Sequence, residues 1–368
     1  MSHAAYIALS LVPGIGLVRF EDLLRAFGTA EAVLDASWRD LCVVRGISKA
    51  AATAIRDASA EDGEAVLRDL AVEGGVALPP EDSRYPSALR EIPQAPVLLF
   101  AAGRLELLQT PSVAIVGSRG HTRYGAEVTR HMAGGVARHG LTVVSGMARG
   151  LDAVAQGAAL DVGGGTVGVL GNGLGVVYPA ANHALYDRVR QHGCLVTEHP
   201  PGERPHAGSF PRRNRIISGL CRATLVVEAG AGSGALITAD CALAQGHDVM
   251  AVPGPIDSAV SAGTNKLLQL GATPVLSLDD VLQEYGLVEA APALSLPADL
   301  SDGERRALDA LMDGAEQIDA VTSRLRCDVA EALAVLTSLE IRGLVVQESG
   351  KVFRRAPFSA PSFPAGKQ

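Results

Sequence analysis

The stretch Val113-Ala114-Ile115-Val116-Gly117-Ser118-Arg119-Gly120 decides the fold of this chain. Four apolar residues run straight into a glycine-containing turn, which predicts a buried strand that ends abruptly. Residues 124–138, which follow, have the pattern of a helix. A strand, a glycine-rich turn and a helix open a doubly wound α/β domain, whose ligand binds at that turn. Backbone N–H groups and the helix dipole favour an anion there, and Arg119 adds a planar cation suited to phosphate.

The same alternation of strand and helix continues through residues 111–285. The predicted strands are 113–116, 141–145, 166–170, 194–197, 224–228 and 248–252. The predicted helices between them are 124–138, 151–160, 181–191, 212–221 and 235–245. Because the two kinds of element alternate regularly, we predict an α/β fold with an extended Rossmann-like, mainly parallel sheet and helices on both of its faces.

Glycine-rich or polar turns follow four of these strands. The carboxyl ends of parallel strands meet at one edge of a sheet, and ligands bind at that edge in this architecture. We therefore predict one extended anion-binding rim. Its candidate binding residues from the four turns are Gly117, Ser118, Arg119, Gly146, Gly171, Ser233 and Gly234.

Several patterns that mark cofactor sites or catalysis do not occur in the sequence. The glycines at 117, 120 and 125 do not have the dinucleotide-binding spacing, and the second strand ends in Ser145-Gly146 instead of an acid. The P-loop, G-x-S-x-G and H-E-x-x-H patterns are also missing. The five cysteines form no CxxC pair, which argues against disulfides and zinc and for a reducing cytoplasm. We expect no cofactor, no metal and no catalytic residue at this rim, and hence no enzyme.

A second candidate region is the stretch Phe210-Pro211-Arg212-Arg213-Asn214-Arg215. An aromatic side chain beside arginines and an asparagine suits single-stranded nucleic acid, because the ring stacks on a base and the polar groups contact phosphates. Structural roles remain open alternatives. Phe210 also fits a core position behind the helix start, and Arg213 and Arg215 also fit structural ion pairs.

Charge and composition divide the chain into parts. The net charge is −8. Residues 1–80 carry 7 basic and 11 acidic groups, residues 81–285 carry 16 basic and 17 acidic groups, and residues 286–368 carry 9 basic and 12 acidic groups. The central part is the least acidic, so a local basic patch can bind phosphate there. No apolar run is long enough to cross a membrane, and residues 1–10 lack the basic start of a signal peptide.

The two ends of the chain predict smaller domains. Residues 1–80 have helical patterns around two glycine turns, Val12-Pro13-Gly14-Ile15-Gly16 and Val44-Arg45-Gly46-Ile47-Ser48. Such turns fit a helix-hairpin-helix or SAM-like domain that binds DNA phosphates, or a plain helical bundle with glycine caps. After a linker at 286–302, residues 303–355 predict three helices and a hairpin, which is a winged helix. Residues 356–368 are predicted to be a disordered tail.

The central domain resembles the bacterial DNA processing protein A family, also called DprA or Smf. The matching pieces are Val113-Ala114-Ile115-Val116-Gly117-Ser118-Arg119, Ser145-Gly146-Met147-Ala148-Arg149-Gly150-Leu151-Asp152, Gly171-Asn172-Gly173-Leu174, Tyr178-Pro179, Phe210-Pro211-Arg212-Arg213-Asn214-Arg215-Ile216-Ile217, Ser233-Gly234-Ala235-Leu236-Ile237-Thr238 and Val252-Pro253-Gly254. The differences are Gln156, where many relatives have histidine, Ala180 and Ala207, where some have lysine, and Cys221, where serine is common.

The resemblance implies a homodimer, formed through the Rossmann-like domain, that binds single-stranded DNA and loads the RecA recombinase during natural transformation. It assigns phosphate contacts to Gly117, Ser118 and Arg119, a base contact to Phe210, and groove positions to Arg213, Asn214 and Arg215. A site made of backbone groups and stacking predicts weak sequence preference. The alternative is a nucleotide-hydrolysing enzyme similar to the lysine-decarboxylase-like phosphoribohydrolases, although residues 229–240 lack the Pro-Gly-Gly and the catalytic glutamate of that loop.

Overall fold

The computed structural model describes residues 3–288, 300–311, 316–325, 327–342, 344–348 and 352–355. The chain divides into two compact units, Met1–Leu287 and Val288–Gln368. Residues 289–299 of the predicted linker and all of the predicted tail at 356–368 lie outside the described residues.

The first unit begins with six short helices. They are α1 (His3–Ser10), α2 (Leu17–Phe27), α3 (Ala30–Asp35), α4 (Trp38–Val43), α5 (Lys49–Asp57) and α6 (Ala60–Val72). Serine or threonine side chains cap four of them, and α6 has a full capping box in which Ser59 and Asp62 bond each other's backbone N–H groups. These polar caps explain why the helices stop and start at such short intervals.

A nine-stranded sheet forms the centre of the first unit. Its strands are β1 (Gly75–Leu78), β2 (Leu99–Gly103), β3 (Ser112–Val116), β4 (Thr142–Ser145), β5 (Thr166–Val169), β6 (Cys194–Thr197), β7 (Ala223–Val226), β8 (Asp248–Ala251) and β9 (Thr273–Pro274). The order is β1-β2-β6-β5-β4-β3-β7-β8-β9. Strands β3 to β9 pair in parallel, while β1 and β2 are antiparallel additions beside β6. The predicted Rossmann-like, mainly parallel sheet is confirmed.

Helices follow the strands. They are α7 (Ser87–Glu91), α8 (Arg123–Arg138), α9 (Leu151–Asp161), α10 (His183–His192), α11 (Ser209–Gly219), α12 (Gly234–Ala244), α13 (Ala262–Gln269) and α14 (Leu278–Glu284). From β3 the chain proceeds to β4, β5 and β6 on one side, then crosses to β7, β8 and β9 on the other. The order of strands therefore reverses beside β3, and a crevice opens there between the turns after β3 and β7.

Two boundaries differ from the sequence prediction. Strand β1 lies inside the segment assigned to the N-terminal helical domain, yet it pairs with β2 from Gly75 to Leu78. The helices also share a continuous core with the sheet, in which Phe20 and Leu23 belong to the same apolar cluster as Phe100. The helical part therefore ends at Val72. Helix α11 begins at Ser209 instead of residue 212, because a proline at position 211 is compatible with the first turn of a helix.

The second unit has the three helices and sheet of a winged helix, as predicted. Helices α15 (Asp302–Ala310), α16 (Ile318–Leu325) and α17 (Val329–Ile341) surround a core that includes Leu308, Val321 and Leu336. Strands β10 (Glu316–Gln317), β11 (Val345–Glu348) and β12 (Val352–Arg355) form a small antiparallel sheet in the order β10-β12-β11. The turn predicted at Ser349-Gly350 lies outside the described residues.

Within the part of the chain that the structure describes, each helix is too short or too polar to span a lipid bilayer.

The close contact between α1 and α6 gives a test of the fold. A Cβ on Gly63 would lie 1.9 Å from the carbonyl oxygen of Ala4. We expect Gly63→Ala to lower the free energy of unfolding by about 1–3 kcal/mol in urea denaturation, because the two helices must move apart. The matched control is Gly157→Ala in α9, where the added Cβ would have no neighbour within 4 Å. That change should be neutral or stabilising by about 0.5–1 kcal/mol, and an equal loss in both variants would contradict the packing argument.

Candidate functional site

Two adjoining cavities lie at the carboxyl edge of the sheet. The first has a volume of about 670 Å³ and the second about 660 Å³. The same five residues line both: Arg119, Gly120, Ala148, Phe210 and Arg213. The cavities therefore form one groove, with Arg119 and Phe210 at the junction.

The first cavity occupies the crevice where the strand order reverses. The turn after β3 contributes Gly117 and Ser118, and the start of α12 contributes Ser233 and Gly234. The side chain of Ser233 caps α12 by accepting a hydrogen bond from the Ala235 N–H at 3.3 Å. Several backbone N–H groups at the first turn of a helix have no partner inside the helix, and this favours an anion. The cavity has the properties expected of a phosphate site.

The second cavity has an aromatic wall. The rings of Tyr178 and Phe210 are 5.2 Å apart between centroids and tilted by 31°, and Tyr178 is 48% exposed. Gly171 makes this arrangement possible, because a Cβ there would lie 2.8 Å from Cδ1 of Phe210. An exposed aromatic face at the wall of a groove can stack on a nucleobase.

Arg119 is an exposed cation at the junction of the two cavities, and Arg149 is a second exposed arginine in the lining of the second cavity. The side chain of Arg119 has no hydrogen bond or ion pair to any described residue, and it lies where the two cavities meet. A guanidinium in that position is free to form charge-assisted hydrogen bonds with an anionic ligand.

Arg213 has a different role, because it is almost completely buried beneath the groove. Its guanidinium donates hydrogen bonds to the carbonyl oxygens of Gly146, at 2.5 Å, and Val169. Burial lowers the pKa of Arg213 to about 10; the charge of Asp152 opposes this change and that of Arg119 adds to it. Arg213 therefore has a structural role, which the sequence left open as an alternative to DNA binding. It lines both cavities, but its N–H groups are bonded to carbonyl groups at the ends of β4 and β5.

Asp152 completes this buried polar group. Its Oδ2 accepts a hydrogen bond from the Gly146 N–H at 3.1 Å. Burial raises the pKa of the carboxyl group, while the attraction of Arg213 acts in the opposite direction. Gly146 leaves room for both side chains, because a Cβ there would lie 2.7 Å from Arg213 Nη2 and from Asp152 Oδ2.

The remaining polar residues of α11 separate into two groups. Asn214 lines the first cavity and donates to the Gly234 carbonyl at 3.3 Å, which links α11 to α12. Arg215 points elsewhere and forms an ion pair with Glu198 at 2.5 Å, with the two side chains only 10% and 14% exposed. Arg212 is 67% exposed, and its Nε lies 3.8 Å from the same carboxylate. The expectation that Arg215 lines the groove is thus not met, because successive helical positions point in different directions, and Arg212, a further predicted DNA-binding residue, is also absent from the lining of both cavities.

The other predicted site residues do come together. Gly117, Ser118, Ser233 and Gly234 line the first cavity, and Gly146 and Gly171 line the second. Sequence reasoning missed Tyr178 as a site residue. The sequence did contain a signal for it, because Tyr178-Pro179 is one of the pieces that match the DprA/Smf family. Arg149, an exposed arginine in the second cavity, was also missed, although it too belongs to one of the matching pieces.

Glu228 is a second buried carboxylate at this edge of the sheet, and it is engaged in hydrogen bonds. Glu228 follows β7 and is buried, and its oxygens accept hydrogen bonds from the Thr122 N–H at 2.9 Å and the Thr122 hydroxyl at 2.5 Å. Gly125 fits against it, because a Cβ there would lie 2.3 Å from the carboxylate. Glu228 therefore anchors the start of α8. Among the described residues no cluster of three or more metal-ligating side chains occurs.

Comparison with known families matches this architecture. Residues 77–286 match the family model of DNA recombination-mediator protein A, and residues 288–351 match the DprA winged helix domain. The chain belongs to the DprA/Smf family. Among its relatives, a putative DNA processing protein DprA of Mycobacterium tuberculosis is 38% identical over 315 residues, covering 80% of each chain. Protein Smf of Escherichia coli is 38% identical over 286 residues, covering 75% of this chain and 76% of that protein.

Solved DprA structures share the fold. The X-ray structure of DprA from Streptococcus pneumoniae matches with a TM-score of 0.64 and 34% identity, over 76% of this chain and 95% of that one. A structure of DprA from Helicobacter pylori, described as giving insight into its single-stranded DNA binding mode, matches with a TM-score of 0.53 and 30% identity. It covers 57% of this chain and 95% of that one. Family membership supports a role in DNA processing and recombination.

The buried Arg215–Glu198 pair gives the test for this site. We expect Arg215→Met to lower the free energy of unfolding by about 3 kcal/mol, because it leaves the Glu198 charge buried without its main partner. The comparison variant Arg212→Ala removes the exposed and more distant partner of the same carboxylate, and should change stability by less than about 0.5 kcal/mol. Urea denaturation measures both. Adding Glu198→Gln to Arg215→Met should recover part of the loss, and no recovery would contradict the role of the pair.

Proposed function

We propose that the groove binds single-stranded DNA without strong sequence preference, and that the protein protects this DNA and loads RecA recombinase onto it. The observation that carries the proposal is the junction of the two cavities, where the unpaired Arg119 lies between an anion-favouring crevice and an aromatic wall. The protein does this in the cytoplasm, during natural transformation and DNA recombination, without catalysing a reaction and without a cofactor.

The groove divides the strand into its two chemical parts. Phosphates bind Arg119, Ser118 and the backbone around Gly117 and Gly234, and a base stacks on Phe210 and Tyr178. None of these contacts distinguishes one base edge from another, so sequence preference is weak and salt dependence is strong. The structure of DprA from H. pylori, whose description concerns the single-stranded DNA binding mode of that protein, supports this assignment. Transfer to RecA rests on the family resemblance.

A nucleotide-hydrolysing enzyme is the second candidate. The groove has space for a mononucleotide, and the sheet suits phosphoribohydrolase chemistry. The observations against it are that Asp152, the carboxylate in the lining of the first cavity, is buried and accepts a hydrogen bond from the Gly146 N–H, and that Glu228, which is buried after β7, is committed to Thr122. A general base must reach the proton that it removes, so we favour the binding function.

We also propose that the protein forms a homodimer through the β9 edge of the sheet. Strand β9 ends the sheet on that side, and both of its residues are exposed. Leu270 and Leu276 flank it in the chain and are 71% and 76% exposed. An open strand edge beside exposed apolar side chains is a surface that another chain can cover, and a second copy suits the two-fold symmetry of most homo-oligomers.

The first functional prediction concerns Arg119. Fluorescence anisotropy with a labelled single-stranded oligonucleotide should show weaker binding by Arg119→Ala for every sequence, by roughly 1–2 kcal/mol. The slope of log K against log salt should become shallower by roughly one unit, because one phosphate contact is lost. RecA loading, followed as RecA-dependent strand exchange on the same DNA, should fall in parallel.

Arg104→Ala is the matched control for this experiment. Arg104 follows β2 at the opposite edge of the sheet and is 46% exposed, so its loss changes net charge equally without touching the groove. If Arg119→Ala and Arg104→Ala bind alike, the strand does not use this groove. Release of a free base from a nucleoside monophosphate by the wild type would favour the enzyme instead.

The dimer proposal predicts a change in molecular mass. Leu270→Arg combined with Leu276→Arg should convert a dimer to a monomer in light scattering after size exclusion, because four like charges would meet across a two-fold interface. Val43→Arg is the control, since Val43 is 84% exposed on α4 in the N-terminal helical part. A monomeric wild type, or a double variant that stays dimeric, would refute the assignment of this edge.

A further inference from the structure

Two turns in the N-terminal helices have the same sequence pattern and the same conformation. Turn one is Val12–Ile15 and turn two is Val44–Ile47, each of the form Val-x-Gly-Ile. In each, the isoleucine N–H donates to the valine carbonyl, at 3.1 Å and 3.2 Å. The third residues, Gly14 and Gly46, have φ values of 84° and 81°, which a side chain would strain. The N-terminal helices therefore contain two copies of the same turn, each with its two central residues exposed.

The two turns lie side by side. Arg19 Nη1 donates to the Gly14 carbonyl at 2.6 Å. The same side chain approaches turn two, where its Nε lies 3.6 Å from the position that a Cβ on Gly46 would take. One guanidinium thus spans both turns, so they present a single surface, which we call the paired turns and define as residues 12–20 and 44–50.

The paired turns are basic within an acidic part of the chain. They contain Arg19, Arg45 and Lys49 and no acidic residue, whereas residues 1–80 have four more acidic than basic groups. All three basic residues are exposed. Arg45 and Lys49 have no ion pair or side-chain hydrogen bond with any described residue. The packing of the helices does not require Arg45 or Lys49, so these two cations are available to an anionic partner.

The form of the surface indicates which anion it suits. Pro13, Gly14 and Gly46 are exposed, so a partner can approach the backbone closely. The single aromatic residue of the paired turns, Phe20, is buried, so no ring is available for a base to stack on. A site without stacking is suited to the regular phosphate backbone of a duplex, whose two strands can each meet one turn.

We propose that the paired turns are a second DNA-binding surface, which takes the phosphate backbone of double-stranded DNA. It is separate from the groove at Arg119 and goes beyond the single-strand binding proposed above. A protein with both surfaces binds the duplex next to a single-stranded region without reading the sequence of either.

The test uses the full chain and two labelled probes, a blunt duplex of about 20 base pairs and a single-stranded oligothymidylate. Arg45→Ala combined with Lys49→Ala should weaken duplex binding about tenfold and make its salt slope shallower by about two units, one for each lost phosphate contact. Binding of the oligothymidylate should stay within about twofold of wild type. The matched control is Arg68→Ala with Arg104→Ala, which removes two exposed cations from other parts of the same unit and should leave duplex binding unchanged.

The outcomes separate this inference from the proposed function. A wild type that binds the single strand but not the duplex overturns the proposal for the paired turns and leaves the proposal for the groove intact. Duplex binding that survives Arg45→Ala with Lys49→Ala also overturns it, because the duplex then binds another surface such as the winged helix. Equal loss of both probes overturns the separation of the two sites. A wild type that binds the duplex but not the single strand refutes the groove and leaves the paired turns standing.

Discussion

The buried guanidinium of Arg213 holds the groove together. It reaches from α11 to the carbonyl oxygens at Gly146 and Val169, which lie after β4 and at the end of β5. A cation without partners at this depth would be strongly unfavourable, so the two carbonyls and the charge of Asp152 are what make the burial possible. In return the contact fixes α11 across the ends of two strands. Phe210 lies one helical turn from Arg213, so its position depends on this anchor.

Around that anchor, small residues set the shape of the groove. Gly146 leaves room for the guanidinium, and Gly171 leaves room for the Phe210 ring. A Cβ on Gly117 would lie 2.5 Å from Cδ1 of Leu151, so a glycine at this position lets the turn after β3 pack against the start of α9. These glycines therefore serve the packing of the residues that form the groove.

The protein separates its charges by location. It is acidic overall, which suits solubility and discourages unselective binding of nucleic acid. Of the arginines in the α11 stretch, Arg213 is used for structure and Arg215 is neutralised by Glu198, while Arg119 is left free at the junction of the cavities. An exposed guanidinium beside backbone donors can bind phosphate even though the protein has a negative net charge, because charges farther away than about 8 Å are largely screened at physiological ionic strength.

The sequence by itself determined the six central strands of the sheet, β3 to β8, the order of these strands and their helices along the chain, and the edge at which the predicted anion-binding rim lies. These features follow from local signals, since an apolar run that ends in glycine specifies a buried strand and a turn. Strand β1 escaped prediction because Gly75–Leu78 is too short to show a pattern and is fixed by pairing with β2. Only the tertiary structure decided the roles of Arg212, Arg213 and Arg215. Adjacent residues of a helix point in different directions. The rotation of the helix against the sheet therefore decides which side chain faces the groove, which one is buried and which one reaches an acidic partner.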